Sequence, residues 1–329
     1  MAADAVLARV IRSGLEESTH RGNVAVCDPD GRLVAWAGDP RREVFARSCM
    51  KPLQGAVSLA WIGGGPTDRE IAVICASHNG EPAHVRTVRR VLARGGLGPS
   101  ALRCPADLPL DPGSAARIRA PTPLFNNCSG KHAGMLLASV RAGWKPETYL
   151  SPGHPYQRRV LAAVLAATGL PGVRVGVDGC GVPVHGMPLA SVATLYARLG
   201  TPERLGRLAA TAARCADAIR AHPYLVGGRH RFDTSLMEAA PGILAKEGAE
   251  ALVCVSLPEL GLGVAVKVTD GSWRAAAPIM IQVLQQLDAL SRSQLRRLDA
   301  FARPPVLGGG RPVGRIEATF SLQRRPVAP

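Results

Sequence analysis

The spacing of apolar positions changes several times along this 329-residue chain, and each change predicts an element. Near the N-terminus Val6, Val10 and Leu15 fall at helical spacing, so residues 4–18 read as a helix. Two apolar runs follow, 24–26 and 33–36. They flank Asp28-Pro29-Asp30-Gly31, whose turn chemistry predicts a hairpin. In "FARSCMKPLQGAVSLAWIG", Pro52 suits the first turn of a helix, where a missing N–H costs little. That places Ser48 at or beside a helix N-terminus. The apolar run 71–75 reads as a buried strand ending in the polar turn Ser77-His78-Asn79.

Helical periodicity returns after Glu81 and is closed by Gly95-Gly96. Residues 104–127 are proline-rich and irregular. "CSGKHAGMLLASVRAG" reads as a loop entering a helix, and "YQRRVLAAVLAATGL" as a helix ended by Gly169 and Pro171. "VRVGVDGCGVPVHGMPL" is a short strand and a glycine-rich turn, with a helix over 191–199. A helix over 203–221, two strands in "ALVCVSLPELGLGVAVKVTDGS" and a long helix in "APIMIQVLQQLDALSR" come next. "GRIEATFSLQ" adds an edge strand. Strands at both ends and helices between predict an α/β (α+β) fold, an antiparallel-rich sheet covered by helices plus a helical portion. We expect one catalytic unit over 1–329. Its sheet part comes from about 1–75 and 250–329, and its helix-rich part from about 76–249.

Composition sharpens this reading. Hydrophobic content of 47% with 20% charged residues indicates a globular chain, and 4% aromatics leaves Ala, Val and Leu to fill the core. A net charge of +15 would suit an acidic partner, but the basic residues are scattered in ones and twos with few aromatics between them. Nucleic acid is therefore not expected as a partner. No apolar run is long enough to span a membrane, the N-terminus carries Asp4, Glu16 and Glu17, and the eight cysteines form no CxxC pair. A cytoplasmic protein with reduced thiols is expected.

The lysines carry the first chemical signal. There are five, against 35 arginines. Arginine stays protonated, whereas lysine can lose its proton when buried, so each retained lysine is a candidate for chemistry. Lys145 and Lys246, in "GWKPE" and "AKEG", read as ordinary charges. Lys51 does not, because Ser48-x-x-Lys51 puts a hydroxyl and an amine on one helical face. The order of later motifs matches serine enzymes that carry Ser-x-x-Lys, a Ser-x-Asn turn and a lysine strand. Ser77-His78-Asn79 and Lys267 in "VAVKVTDG" fill the second and third places loosely. A second group joins "NNCSGKHAGM" to "DGCGVPVHGMP". Cys128 and Cys180 read either as two buried small hydrophobes or as thiolates holding zinc with another donor.

Taken together, "RSCMKPLQ", "ASHNGEPAH", "NNCSGKHAGML", "DGCGVPVHGMPL", "GRHRFDTSLM" and "GLGVAVKVTDG" resemble the asparaginase II family of the rhizobial type, over roughly residues 6–289. The resemblance implies hydrolysis of L-asparagine to L-aspartate and ammonia, on a fold like that of serine β-lactamases and glutaminases, in a homodimer. It implies Ser48 as nucleophile, Lys51 as its base, and Ser77 with Lys267 as a second pair that relays protons. It further implies zinc at Cys128, Lys131 and Cys180, and Arg47, His132 and Asp178 around the substrate. A glutaminase or β-lactam hydrolase of the same fold, or a non-catalytic binding protein, are the alternatives.

Overall fold

The computed structural model describes residues 3–324, so the extreme ends of the expected 1–329 unit lie outside the described residues. The chain divides into two compact units. One comprises Met1–Cys49, Met187–Thr201 and Ser235–Pro329, the other Met50–Gly186 and Pro202–Thr234.

The first unit is built on an antiparallel sheet. Its strands run in the order Pro305–Gly308, Arg311–Ala318, Ala5–Arg12, Leu15–Cys27, Leu262–Val268, Leu252–Leu257 and Leu244–Gly248. Leu33–Ala37 pairs with Leu15–Cys27 across the expected Asp28–Gly31 turn. The Leu189–Gly200 and Trp273–Gln286 helices pack on this sheet. Every residue of Leu252–Leu257 is buried, as a strand covered on both faces requires. Leu244–Gly248 stands last in the strand order and is nevertheless buried at every residue.

Two expectations for this unit need correction. Residues 4–18 are not helical. Ala5–Arg12 and Leu15–Cys27 form a hairpin in which Arg12 pairs with Leu15. Ser13 (φ 48°) and Gly14 (φ 86°) make the left-handed two-residue turn that matches strand twist. Leu7, Ala8 and Val10 are buried, so the helical reading named Val10 but missed Leu7 and Ala8. The strand near the C-terminus, Arg311–Ala318, is real but is not an edge; it lies between Ala5–Arg12 and Pro305–Gly308.

The second unit is mostly helical. Lys51–Ile62 packs against Ser129–Arg141 and Ala209–Ala221, and Ser129–Arg141 packs against Pro82–Ala93. Pro52 lies in the first turn of its helix, as expected. The run 71–75 is not a strand but the C-terminal part of the Asp68–Ile74 helix. Thr67 and Glu70 form a capping box at its start, and Arg94 donates to Glu70 at 2.8 Å. The helix expected over 203–221 breaks at Gly206, so that a 3₁₀ segment Pro202–Leu208 precedes Ala209–Ala221. A short hairpin pairs Arg174–Val177 with residues 183–186. Among the described residues, no helix is long and apolar enough to cross a membrane.

Candidate active site

Ser48 occupies a 3₁₀ turn, Arg47–Met50, which runs directly into the Lys51–Ile62 helix. Arg47 opens that turn at φ 45°, in the left-handed region that a side chain enters only under constraint. The constraints within the sheet unit are visible. Tyr196 donates its hydroxyl to Cys49 O at 2.8 Å, and Cys49 Sγ–H lies 3.3 Å from Lys246 O. Gly248 lets the turn approach the Leu244–Gly248 strand, since a Cβ there would sit 2.9 Å from Cys49 Sγ and 3.4 Å from Ser48 N. The half-buried Ser48 is therefore fixed by its backbone against a buried strand.

The helical unit gathers the first lysine. Lys51 is fully buried, and its ammonium donates to Ala76 O (2.6 Å), Ser77 Oγ (2.9 Å) and Asn127 O (3.3 Å). Ser77 is itself buried, in a backbone segment that donates to Val226 O and Gly227 O. His78 Nδ1 accepts from Gly80 N–H, so Nε2 carries the proton and donates to Ser129 Oγ at 3.0 Å. Burial, then the charges of His84 and Lys51, hold His78 well below its ordinary value and therefore neutral. This bond ties the Ser77 turn to the N-terminus of the helix that follows Cys128.

One turn into that helix lies the thiol cluster. Lys131 Nζ donates to Cys180 Sγ at 3.1 Å, and Cys180 Sγ lies 3.8 Å from Asp178 Oδ2. A hydrogen bond from Cys180 lowers Cys128 well below the ordinary thiol range against the effect of burial, aided by Lys51 and Lys131. The same bond, with burial, raises Cys180. The two thiols are thus pushed in opposite directions, Cys128 down and Cys180 up. Burial alone would lower Lys131, but its neighbours Cys180, Cys128 and Asp178 raise it.

His132 is fully buried beside this cluster. Tyr149 Oη accepts from Arg103 N–H (2.9 Å) and hydrogen-bonds His132 Nδ1 at 2.6 Å. Its Nε2 has no hydrogen-bond partner among the described residues. Burial, then Lys131 and Lys51, keep the ring neutral. Asp178 stands in the Gly179–Gly181 turn, donating its backbone N–H to Val182 O and accepting from Gly179 N–H.

Cys128, Lys131 and Cys180 lie in a buried site, a donor set that would suit zinc once Lys131 gives up its proton. Among the described residues no cluster of three His, Cys, Asp or Glu side chains is placed to hold a metal.

Lys267 belongs to the sheet unit. Its ammonium donates to Glu250 O (2.6 Å) and Val268 O (2.5 Å), and burial lowers its pKa. With Asn23, Arg42, Arg47, Glu250 and Thr269 it lines a cavity of about 210 Å³. Lys246, read from sequence as an ordinary charge, is the lysine that reading missed. It is fully buried on the strand that abuts the Ser48–Cys49 backbone and donates to Glu247 O at 2.7 Å.

The sequence matches the family model described as L-asparaginase II over residues 8–318. By class, the chain is an amidohydrolase. It belongs to the asparaginase II family. No functionally described protein matches it at a significant level. Among solved structures, it is similar to a β-lactamase from Mycobacterium bovis at 16% identity, over 80% of this chain and 94% of that one, with a TM-score of 0.45. A Bacillus glutaminase is similar at 12% identity, over 81% and 91%, with a TM-score of 0.41. Likenesses this loose carry no function.

Proposed function

We propose that the protein hydrolyses L-asparagine to L-aspartate and ammonia through an acyl-enzyme on Ser48. The observation that carries the reading is the buried Lys51–Ser77 contact at 2.9 Å, one turn after Ser48, in a chain of this family. Ser48 Oγ attacks the side-chain amide carbon while Lys51, entering the step as the neutral amine, takes its proton. Ammonia leaves only once protonated, and Lys51 and Ser77 form a path along which that proton returns. Water then cleaves the aspartyl ester. Arg47 pairs with the substrate carboxylate, Asp178 with its ammonium, and His132 Nε2 offers a further hydrogen bond.

The motif order assigns the second lysine to Lys267. Burial and the approach of its strand to Ser48 favour Lys246 as a second reading. Cys128, Lys131 and Cys180 would hold zinc, which when bound supplies a fixed positive charge at the pocket wall. All eight cysteines are free thiols, which supports a reducing, cytoplasmic setting, and a homodimer is part of the same reading. Ammonia release from L-asparagine and L-glutamine should be measured side by side with the colour change of a chromogenic cephalosporin. Preference for asparagine supports the proposal. Preference for either other substrate moves it to the alternative hydrolases, and no turnover with any of them points to a binding protein.

A further inference from the structure

Away from these residues, the helical unit carries an open groove of about 610 Å³ that the proposed chemistry does not use. Its floor is alanine: Ala162, Ala163, Ala166 and Ala167 follow one another along a single face of the Pro155–Thr168 helix. Val57, Ala60 and the partly exposed Trp61 form one wall, and Leu205 and Leu208 the other. Every ionisable residue lining the groove is an arginine: Arg159, Arg204 and Arg207. Arg159 is held between Trp61 and Trp144, 4.4 and 4.6 Å from their ring centroids, and donates to Pro155 O. Its guanidinium is thus fixed at one end of the apolar floor.

We propose that this groove binds a free single-chain amphiphile with an anionic head, such as a medium-chain fatty carboxylate. The arginines take the head as charge-assisted hydrogen bonds, and the alanine floor takes the alkyl chain. From Arg159 to Ala167 the helix advances roughly 12 Å, which suits a chain of moderate length. Charge decides against a second copy as occupant. The chain carries +15, so self-association here would bring more cations to an arginine rim. Shape decides against a bilayer, because a concave groove encloses one chain whereas bilayer binding uses protruding apolar residues.

The test is calorimetric titration of the full chain with sodium octanoate, decanoate and dodecanoate below their micelle concentrations. Decanol and vesicles of an anionic phospholipid serve as comparisons. We expect saturable one-to-one binding that tightens by about two- to fourfold per added methylene. The double variant Arg204→Gln/Arg207→Gln should weaken it by about tenfold or more. Ala166→Trp, at an exposed position, should abolish it while leaving the unfolding midpoint unchanged. Absence of saturable binding would overturn the proposal, as would binding unchanged in both variants. Equal binding of decanol would remove the anionic head from it. Binding to vesicles but not to free carboxylate would make the site a membrane contact, and self-association abolished by Ala166→Trp would make it a protein contact.

Discussion

Gly130 is where the candidate site is most sensitive to packing. It lies between Ser129, which holds His78, and Lys131, which holds Cys180. A Cβ at this position would stand 2.1 Å from Val73 O and 2.7 Å from Val73 Cγ1. Val73 belongs to the Asp68–Ile74 helix that leads to Ser77. Gly130→Ala therefore forces the two helices apart by roughly one ångström, because the nearest atom is backbone and cannot rotate away. Overpacking of this kind costs ~1–3 kcal/mol. Alanine returns at most ~1 kcal/mol of helix propensity, and less at the second residue of a helix. The net expectation is a loss of about 1–2 kcal/mol by these magnitudes. A shift of that size between Lys131 and Ser77 should lower kcat/KM on L-asparagine by about a hundredfold. Urea unfolding and ammonia release on the same preparation measure both effects. Gly172→Ala is the control, since nothing lies within 4 Å of a Cβ there. If Gly130→Ala matched that control in both stability and kcat/KM, the packing argument that links Ser77 to the thiol cluster would fail.

Other outcomes follow from the same geometry. Lys51→Ala should lower kcat by about 10²–10⁴-fold with the fold intact, as loss of a proton-transfer group does; near-normal turnover would remove Lys51 from the chemistry. Lys246→Met and Lys267→Met separate the two readings of the second lysine, and the larger fall in kcat identifies it. His78 and His84 are held below their ordinary 6.5 chiefly by burial. The unfolded chain therefore binds more protons than the folded one below about pH 6.5, and stability present at neutral pH is lost as pH falls. The slope is up to ~1.4 kcal/mol per pH unit for each histidine, and flat urea midpoints between pH 6.5 and 5 would contradict it. Protein purified without chelators should contain close to one zinc per chain, lost in Cys128→Ser and Cys180→Ser. Unchanged metal content in those variants would place the zinc elsewhere.

Much of this was legible in the residues, and the failures have physical causes. The proline at 52 and the glycines at 95 and 169 mark helix ends by local sterics, so those elements could be read without tertiary information. The run 71–75 could not, because four or five apolar residues fit a buried strand and a buried helix equally. The Thr67–Glu70 capping box was the deciding signal, and it lay just upstream. At the N-terminus, the Ser13-Gly14 turn marked a hairpin that the four-residue spacing of Val6 and Val10 concealed. Within the helical unit, Lys51 meets Ser77, a contact not read from the sequence, which paired Ser48 with Lys51 and Ser77 with Lys267. Lys131 meets Cys180, which the family resemblance had grouped with Cys128. Lys246 was hidden because burial of a lysine is a tertiary property. Neither its neighbours in sequence nor its charge announces that its strand abuts Ser48.

The central claim is that Ser48 is the nucleophile of an asparagine amidohydrolase. Ammonia release from L-asparagine, compared between the wild-type chain and Ser48→Ala of matched unfolding midpoint, tests it most directly. The account predicts turnover by the wild type and its loss in the variant. Full activity in a folded Ser48→Ala chain would contradict it.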